Sequence, residues 1–219
     1  ERTRAASAAM FEYATSLIAE KQRCPAHDML STVATSTDPA LTDAELHMFF
    51  SLLVAPGSET TRNSITLGVL ALAERPDQWR GLQADRSLMP TAVDEVLRWA
   101  SSTPYNRRTA TRDVDVGGVG IPAGDKVTLW WASANFDESV FDDPFTFDIG
   151  RTPNPHVAFG HGTHFCLGAN LARMEIRLVL DAMLDRFDGV VPTGPVERTR
   201  SNKHTGVRHA PVELVPRAT

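Results

Sequence analysis

Apolar residues recur mostly at helical spacing along the chain, which predicts a protein built mainly of helices. Helices are predicted over residues 5–21, 27–35, 42–75, 91–99 and 171–184. Thr42 and Glu45 form a capping box at the start of the third helix, because the hydroxyl and the carboxylate can satisfy free N–H groups there. Pro56 lies inside this long helix, where a proline removes one backbone hydrogen bond, so the pattern predicts a kink rather than an end.

The spacing changes after Pro104. Residues 105–134 are rich in Val, Thr and Trp and contain two glycine-bearing turn signals, a pattern typical of antiparallel strands. Residues 135–155 have no sustained period and are expected to form an ordered coil, whereas residues 190–215 predict short strands and turns. The predicted fold class is therefore α+β with helix predominating, in one compact domain over residues 1–219.

Composition and charge narrow the classes of function. The 219 residues are 42% hydrophobic, which is enough for a sizeable core, and the formal net charge of -5 argues against nucleic acid as a partner. No apolar run is long enough to span a bilayer. The only cysteines, Cys24 and Cys166, are far apart in sequence, so a disulfide framework is not expected. We expect a cytoplasmic protein whose Cys166 is free for chemistry or ligation.

Cys166 lies in the stretch FGHGTHFCLG, just before a predicted helix. Three functions compete for it. With His161 and His164 it could bind zinc, although no second ligand pair is present; with His164 as base it could be a hydrolase nucleophile. Neither explains the glycines of the stretch. A thiolate at a helix N-terminus, stabilised by N–H groups and the helix dipole, could instead be the axial ligand of haem iron. For Cys24 the default is a small buried apolar residue.

The stretch resembles the haem-binding loop of the cytochrome P-450 superfamily. The resemblance implies that Cys166 ligates the iron of haem b and that Phe159 packs near the sulfur. It also implies that Gly162 allows a tight turn and that Gly168 permits close approach of the following helix. Ten residues with this many matching positions are a specific signal, and they imply the C-terminal part of that fold.

A Glu-x-x-Arg pair, Glu95 and Arg98, lies three residues apart on one helical face, where the two side chains can pair. By itself such a pair is ordinarily solvated. Its position matches the family motif that anchors the coil carrying the cysteine loop, which implies a structural role. The family commonly adds an arginine from that coil, but Thr146 stands in its place here, and Arg151 is a candidate substitute.

Glu59 and Thr60 follow Gly57-Ser58 on the long helix and resemble the family's oxygen-activation signature. The resemblance implies that Thr60 offers a hydroxyl beside the haem and that Glu59 relays protons from solvent. Without the cysteine loop, the pair would be taken as residues that cap or solvate a kink. Pro56 departs from the family, which usually has Ala or Gly at that position.

Three cationic positions complete the resemblance. Arg108, at the start of the strand region, and His164, in the loop, match positions that hold the haem propionates. Arg173, on the helix after Cys166, matches a position on the family's electron-donor face. Each would otherwise be an ordinary surface or loop residue.

The resemblance implies a bacterial haem-thiolate monooxygenase that oxidises a C–H bond of an apolar substrate. Its expected partners are a ferredoxin and a ferredoxin reductase drawing on NAD(P)H, together with the missing N-terminal half of the same protein. Residues 133–138, which include Phe136, and residues 151–156 resemble actinobacterial members that oxidise sterol side chains or branched lipids. The alternative from another class is a non-catalytic haem-binding remnant or structural fragment.

Overall fold

The computed structural model of the protein describes residues 2–217. The helices are α1 (Arg2–Arg23), α2 (Met29–Ala34), α3 (Asp43–Ala73), α4 (Pro76–Ala84), α5 (Met89–Ala100), α6 (Trp131–Ala134) and α7 (Ala169–Arg186). The strands are β1 (Asn106–Thr109), β2 (Val114–Val116), β3 (Val119–Ile121), β4 (Lys126–Leu129), β5 (Phe187–Pro192), β6 (Glu197–Arg198), β7 (Val207–His209) and β8 (Val212–Pro216). Short 3-10 turns cover Arg86–Leu88 and Gly162–His164.

All the strand pairs are antiparallel and two-stranded: β1 with β4, β2 with β3, β5 with β8, and β6 with β7. The predicted α+β class with helix predominating is therefore confirmed. No helix among residues 2–217 has both the length and the apolarity needed to cross a membrane.

Backbone contacts divide the chain into two compact units, one ending at Ser58 and the other beginning at Glu59. The first unit has its own apolar core, formed by Ala14, Ile18, Leu30, Leu46 and Phe50. The start of α3 is capped as the sequence predicts: Glu45 Oε2 accepts hydrogen bonds from the Thr42 amide and hydroxyl, each at 2.8 Å.

Helix α3 runs without interruption from Asp43 to Ala73 and contains Pro56. The prediction that Pro56 does not end this helix is confirmed. Pro76 begins a further helix, α4, which the sequence did not reveal because Pro76 was taken only as a stop. Proline is favoured in the first turn of a helix, where its missing N–H would have had no partner.

The second unit is organised around helix α5. Its buried face, which includes Val96, packs in a core with residues of α3, α4 and α7, among them Leu72, Trp79, Ile176, Leu180 and Leu184. Gly68 permits the close approach of α3 and α5, since a Cβ there would lie 2.6 Å from Cγ1 of Val96. The predicted strand region is confirmed for β1 to β4 but is wrong at its end, where Trp131–Ala134 forms one helical turn.

Candidate functional site

The cysteine loop is a tight turn that enters helix α7. Gly160 and Gly162 have φ values of 70° and 74°, a region that glycine adopts without steric cost. The Cys166 amide donates to the Phe159 carbonyl oxygen at 3.0 Å, which closes the turn. The Cys166 carbonyl oxygen accepts from the amide of Ala169, the first residue of α7, at 3.3 Å. The tight turn expected at Gly162 is therefore present.

The thiol of Cys166 is exposed at the N-terminus of α7, where the helix dipole favours negative charge. A Cβ built on Gly168 would lie 4.0 Å from the sulfur, which is an ordinary van der Waals contact, so the sulfur alone does not require a glycine at this position. Phe159 lies on the inner side of the loop, and its ring meets Phe165 edge-on with centroids 6.1 Å apart. Phe165 and Leu167 are exposed by 54% and 72% and give the loop an apolar outer surface.

This surface fits a haem. A single thiol beside exposed apolar side chains suits a flat apolar macrocycle that needs one axial ligand. Zinc is a poorer match, because residues 2–217 contain no group of three His, Cys, Asp or Glu side chains able to hold a metal ion. The hydrolase alternative also lacks support, because within residues 2–217 no hydrogen bond joins the Cys166 thiol to a histidine that could act as its base.

Glu95 and Arg98 form a buried ion pair on α5. Arg98 Nε and Nη2 donate to the two carboxylate oxygens of Glu95, both at 2.7 Å, and neither side chain is exposed. Arg98 also donates to the carbonyl oxygens of Asn135 and Pro144 at 2.8 Å and of Thr146 at 3.2 Å. The guanidinium therefore holds the coil at three points, as the resemblance implied.

Arg151 completes this network. Its Nε donates to Glu95 at 3.2 Å, and its Nη2 donates to the Thr146 carbonyl oxygen at 2.8 Å. Glu95 also accepts from the Asp148 amide at 3.0 Å and from Asn154 Nδ2 at 3.1 Å. Arg151 thus supplies the arginine that the family commonly has at the position of Thr146. Hydrogen bonds therefore hold the coil from residue 144 to residue 154 just before the cysteine loop.

On α3, Glu59 and Thr60 are half-buried. The Glu59 carboxylate accepts from Arg62 Nη2 at 2.7 Å and from Asn63 Nδ2 at 3.2 Å. The hydrogen bond from Arg62, followed by that from Asn63, lowers the pKa of Glu59 below its ordinary value. The carboxylate is therefore ionised at neutral pH. Asn63 is fully buried and accepts from the Val207 amide at 3.3 Å, a positioning contact that sequence reasoning missed.

The two residues expected at the propionates are both exposed. Arg108 lies on β1 opposite Val127 of β4 and donates to the Arg107 carbonyl oxygen at 3.1 Å. His164 ends the 3-10 turn of the loop. Within residues 2–217 no hydrogen bond or ion pair joins Arg108 to the loop. The structure therefore brings Phe159, Gly162, Gly168 and Cys166 together, whereas Arg108 and Glu59 belong to separate elements.

Comparison with known proteins accounts for this arrangement. The family model described as cytochrome P450 matches residues 6–214. The chain belongs to the cytochrome P450 family. The cofactor of this family is haem b, and Cys166 is the residue of this chain whose exposure and place at a helix N-terminus suit its iron.

Three relatives of the chain come from mycobacteria. Cytochrome P450 126 of Mycobacterium tuberculosis is 55% identical over 214 residues, covering 95% of this chain and 52% of that protein. Methyl-branched lipid omega-hydroxylase of Mycobacterium tuberculosis is 49% identical over 211 residues, covering 94% and 49%. Steroid C26-monooxygenase of Mycobacterium bovis is 44% identical over 217 residues, covering 98% and 50%. The expected similarity to sterol and branched-lipid hydroxylases is confirmed.

The fold agrees with solved cytochromes P450. The ligand-free P450 monooxygenase TamI superposes with a TM-score of 0.90 at 43% sequence identity, covering 97% of this chain and 53% of that one. The chain spans about half the length of the curated relatives it matches.

Proposed function

We propose that the protein is a haem-thiolate monooxygenase that inserts one oxygen atom of dioxygen into a C–H bond of an apolar substrate. The observation that carries the proposal is the exposed Cys166 thiol, set at the N-terminus of α7 beside an apolar loop surface in a chain of the cytochrome P450 family. When bound, the haem supplies the activation of dioxygen and the cleavage of its O–O bond.

The chain contributes the cofactor's support. Cys166 provides the thiolate. Phe159 and Gly162 form the tight turn that carries the sulfur, and Gly168 adds no side chain between the sulfur and the macrocycle. Arg108 and His164 are exposed cationic or donor side chains that would hold the propionates, because charge-assisted hydrogen bonds to carboxylates are strong.

Glu59 and Thr60 would govern proton supply. Arg62 keeps the Glu59 carboxylate ionised, so it can accept a proton from solvent and release it inward. The neighbouring Thr60 Oγ1 would hold and pass that proton. Pro56 lies one turn before Thr60, and α3 remains helical through both residues. Glu59 and Thr60 are therefore neighbouring positions of one continuous helix.

The substrate class we propose is a sterol or a methyl-branched lipid, and the electron donors are a ferredoxin and its NAD(P)H-dependent reductase. Support comes from the activities for which two relatives are named, a steroid C26-monooxygenase at 44% identity and a methyl-branched lipid omega-hydroxylase at 49% identity. The chain covers half of those proteins. We propose that residues 1–219 form the haem-binding C-terminal portion of one domain whose distal part is N-terminal to it.

The test is oxygen incorporation. The protein expressed from its complete gene is supplied with a ferredoxin, a reductase and NADPH under isotopically heavy dioxygen, with a steroid or a methyl-branched fatty acid. We expect one heavy oxygen atom in a hydroxylated product of at least one class. Products that carry oxygen only from water would contradict a monooxygenase. Haem-loaded protein that consumes no reductant with either substrate would instead favour a non-catalytic haem-binding protein.

A further inference from the structure

Helix α5, helix α7 and the coil before the cysteine loop meet at one carboxylate oxygen of Asp94. Asp94 Oδ1, on α5, accepts from Arg173 Nε, on α7, at 2.8 Å. The same oxygen lies 3.4 Å from His156 Nε2, on the coil that leads into the loop. The His156 side chain is only 4% exposed, so this imidazole is an interior group.

The backbone contact of His156 indicates which of its ring nitrogens accepts a hydrogen bond. The Ala158 amide donates to His156 Nδ1 at 3.3 Å, and because an amide can only donate, Nδ1 must be the acceptor. The hydrogen of the neutral ring is therefore on Nε2, where it points to Asp94. His156 thus connects the backbone just before the loop to the carboxylate on α5.

Asp94 is suited to anchor both partners. Burial raises the pKa of Asp94, but the hydrogen bonds from His156 and Arg173 more than offset burial, so its pKa lies below its ordinary value. The carboxylate is ionised at neutral pH. One charged oxygen of Asp94 therefore holds the guanidinium from α7 and the imidazole from the coil.

Arg173 and His156 enclose the ring of Phe159. The Arg173 guanidinium carbon lies 4.8 Å from the ring centroid, and the His156 ring centroid is 5.9 Å away. The carbonyl oxygen of Phe159 is the group that accepts the Cys166 amide hydrogen. Any shift of the Phe159 ring or backbone is therefore passed to the residue that carries the thiol.

We propose that Asp94, His156 and Arg173 are positioning residues for the Cys166 thiolate and act through Phe159. None of the three contacts the cofactor in this role. They fix the side chain and backbone against which the thiolate is set, so they control how firmly sulfur stays on the haem iron. The inference rests on the proposed haem-thiolate function, because it concerns the ligand of that same site.

The experiment uses haem-loaded protein expressed from the complete gene. For each variant we would measure the share of the reduced, carbon-monoxide-bound protein that shows the red-shifted thiolate Soret band, and the haem reduction potential. Asp94→Asn should lower the ratio of thiolate-ligated to thiolate-free protein about tenfold, which corresponds to about 1.4 kcal/mol. Its reduction potential should also change, since ligation by sulfur sets that potential.

Conservative variants distinguish positioning from simple support. In His156→Gln the terminal amide can still donate towards Asp94, so this variant should keep more of the thiolate band than His156→Ala. Arg173→Lys keeps the positive charge but loses the planar group over Phe159, and its loss should be intermediate. These variants also decide the matter if Asp94→Asn binds too little haem to measure.

Asp181→Asn is the matched control. Asp181 also lies on α7 and pairs with Arg86 at 3.0 Å, so the variant breaks an ion pair of the same helix that does not touch the loop. It should leave the thiolate share unchanged. The proposal is overturned if the Asp94, His156 and Arg173 variants all match wild type in thiolate share and potential. A wild-type protein without the thiolate band would overturn the proposed function instead.

Discussion

Glu95 is the residue on which the buried network of the second unit depends. It is fully buried and accepts five hydrogen bonds, two from Arg98 and one each from Arg151, Asn154 and the Asp148 amide. Glu95→Gln has almost the same volume, so the substitution makes no cavity. It removes the charge that neutralises two guanidinium groups, and it turns one end of the side chain into a donor that faces other donors.

Removing one partner of a buried ion pair costs about 3–5 kcal/mol, because the remaining charge stays buried and uncompensated. Domains are stable by about 5–15 kcal/mol, so this loss is a large part of the total. Since Arg98 and Arg151 hold the coil that leads to the cysteine loop, the variant should also bind less haem. The measurements are denaturant unfolding followed by tryptophan fluorescence and the haem content of purified protein.

Glu74→Ala provides the comparison for an exposed pair. Glu74 contacts Arg75 at 3.3 Å, but its side chain is 66% exposed, so the loss should stay below about 1 kcal/mol. If Glu95→Gln lost no more free energy of unfolding than Glu74→Ala and bound a normal amount of haem, the assignment of Glu95 as the anchor of the coil would be wrong.

Three further predictions concern other parts of the chain. Thr60→Ala should lower the ratio of product formed to reductant consumed, because reduction continues without a positioned proton donor; an unchanged ratio would place the proton path elsewhere. Gly68→Ala should lower the free energy of unfolding by about 1–3 kcal/mol through its clash with Val96, whereas Gly57→Ala, with nothing within 4 Å of the new Cβ, should not. Hydrogen bonds from Lys21 Nζ and from the Ser31 amide, in α2, lower the pKa of Asp28 from 3.8 to about 2. Its stabilising contribution is therefore complete above about pH 4 and lost as pH falls through about 2, and Asp28→Asn should flatten the pH dependence of stability in that window.

Much of the fold and the loop could be predicted because their signals are local. The capping box, the continuation of α3 past Pro56 and the tight turn at Gly162 each depend on a few neighbouring residues, and the structure shows these three as expected. Helix α4 was missed because a proline stops one helix and starts another with the same residue. The turn at Trp131–Ala134 was missed because its Trp and Ala residues followed a strand pattern.

The support of the site was harder to predict because it depends on distant segments. Arg151 was a candidate from sequence, but only the folded coil shows it beside Glu95, 56 positions away. The meeting of Asp94, His156 and Arg173 leaves no local pattern, because the three come from a helix, a coil and another helix. The roles of Arg108, His164, Glu59 and Thr60 toward the haem remain predictions, because they require the bound cofactor.

The most direct test of the account is the ligand of the haem iron. The protein expressed from its complete gene and its Cys166→Ser variant are reduced, exposed to carbon monoxide and compared by optical spectroscopy, with Cys24→Ser as a control for the other exposed cysteine. The account predicts the red-shifted thiolate Soret band in the wild-type protein and in Cys24→Ser, and its loss in Cys166→Ser. A Cys166→Ser spectrum identical to that of the wild-type protein would contradict it.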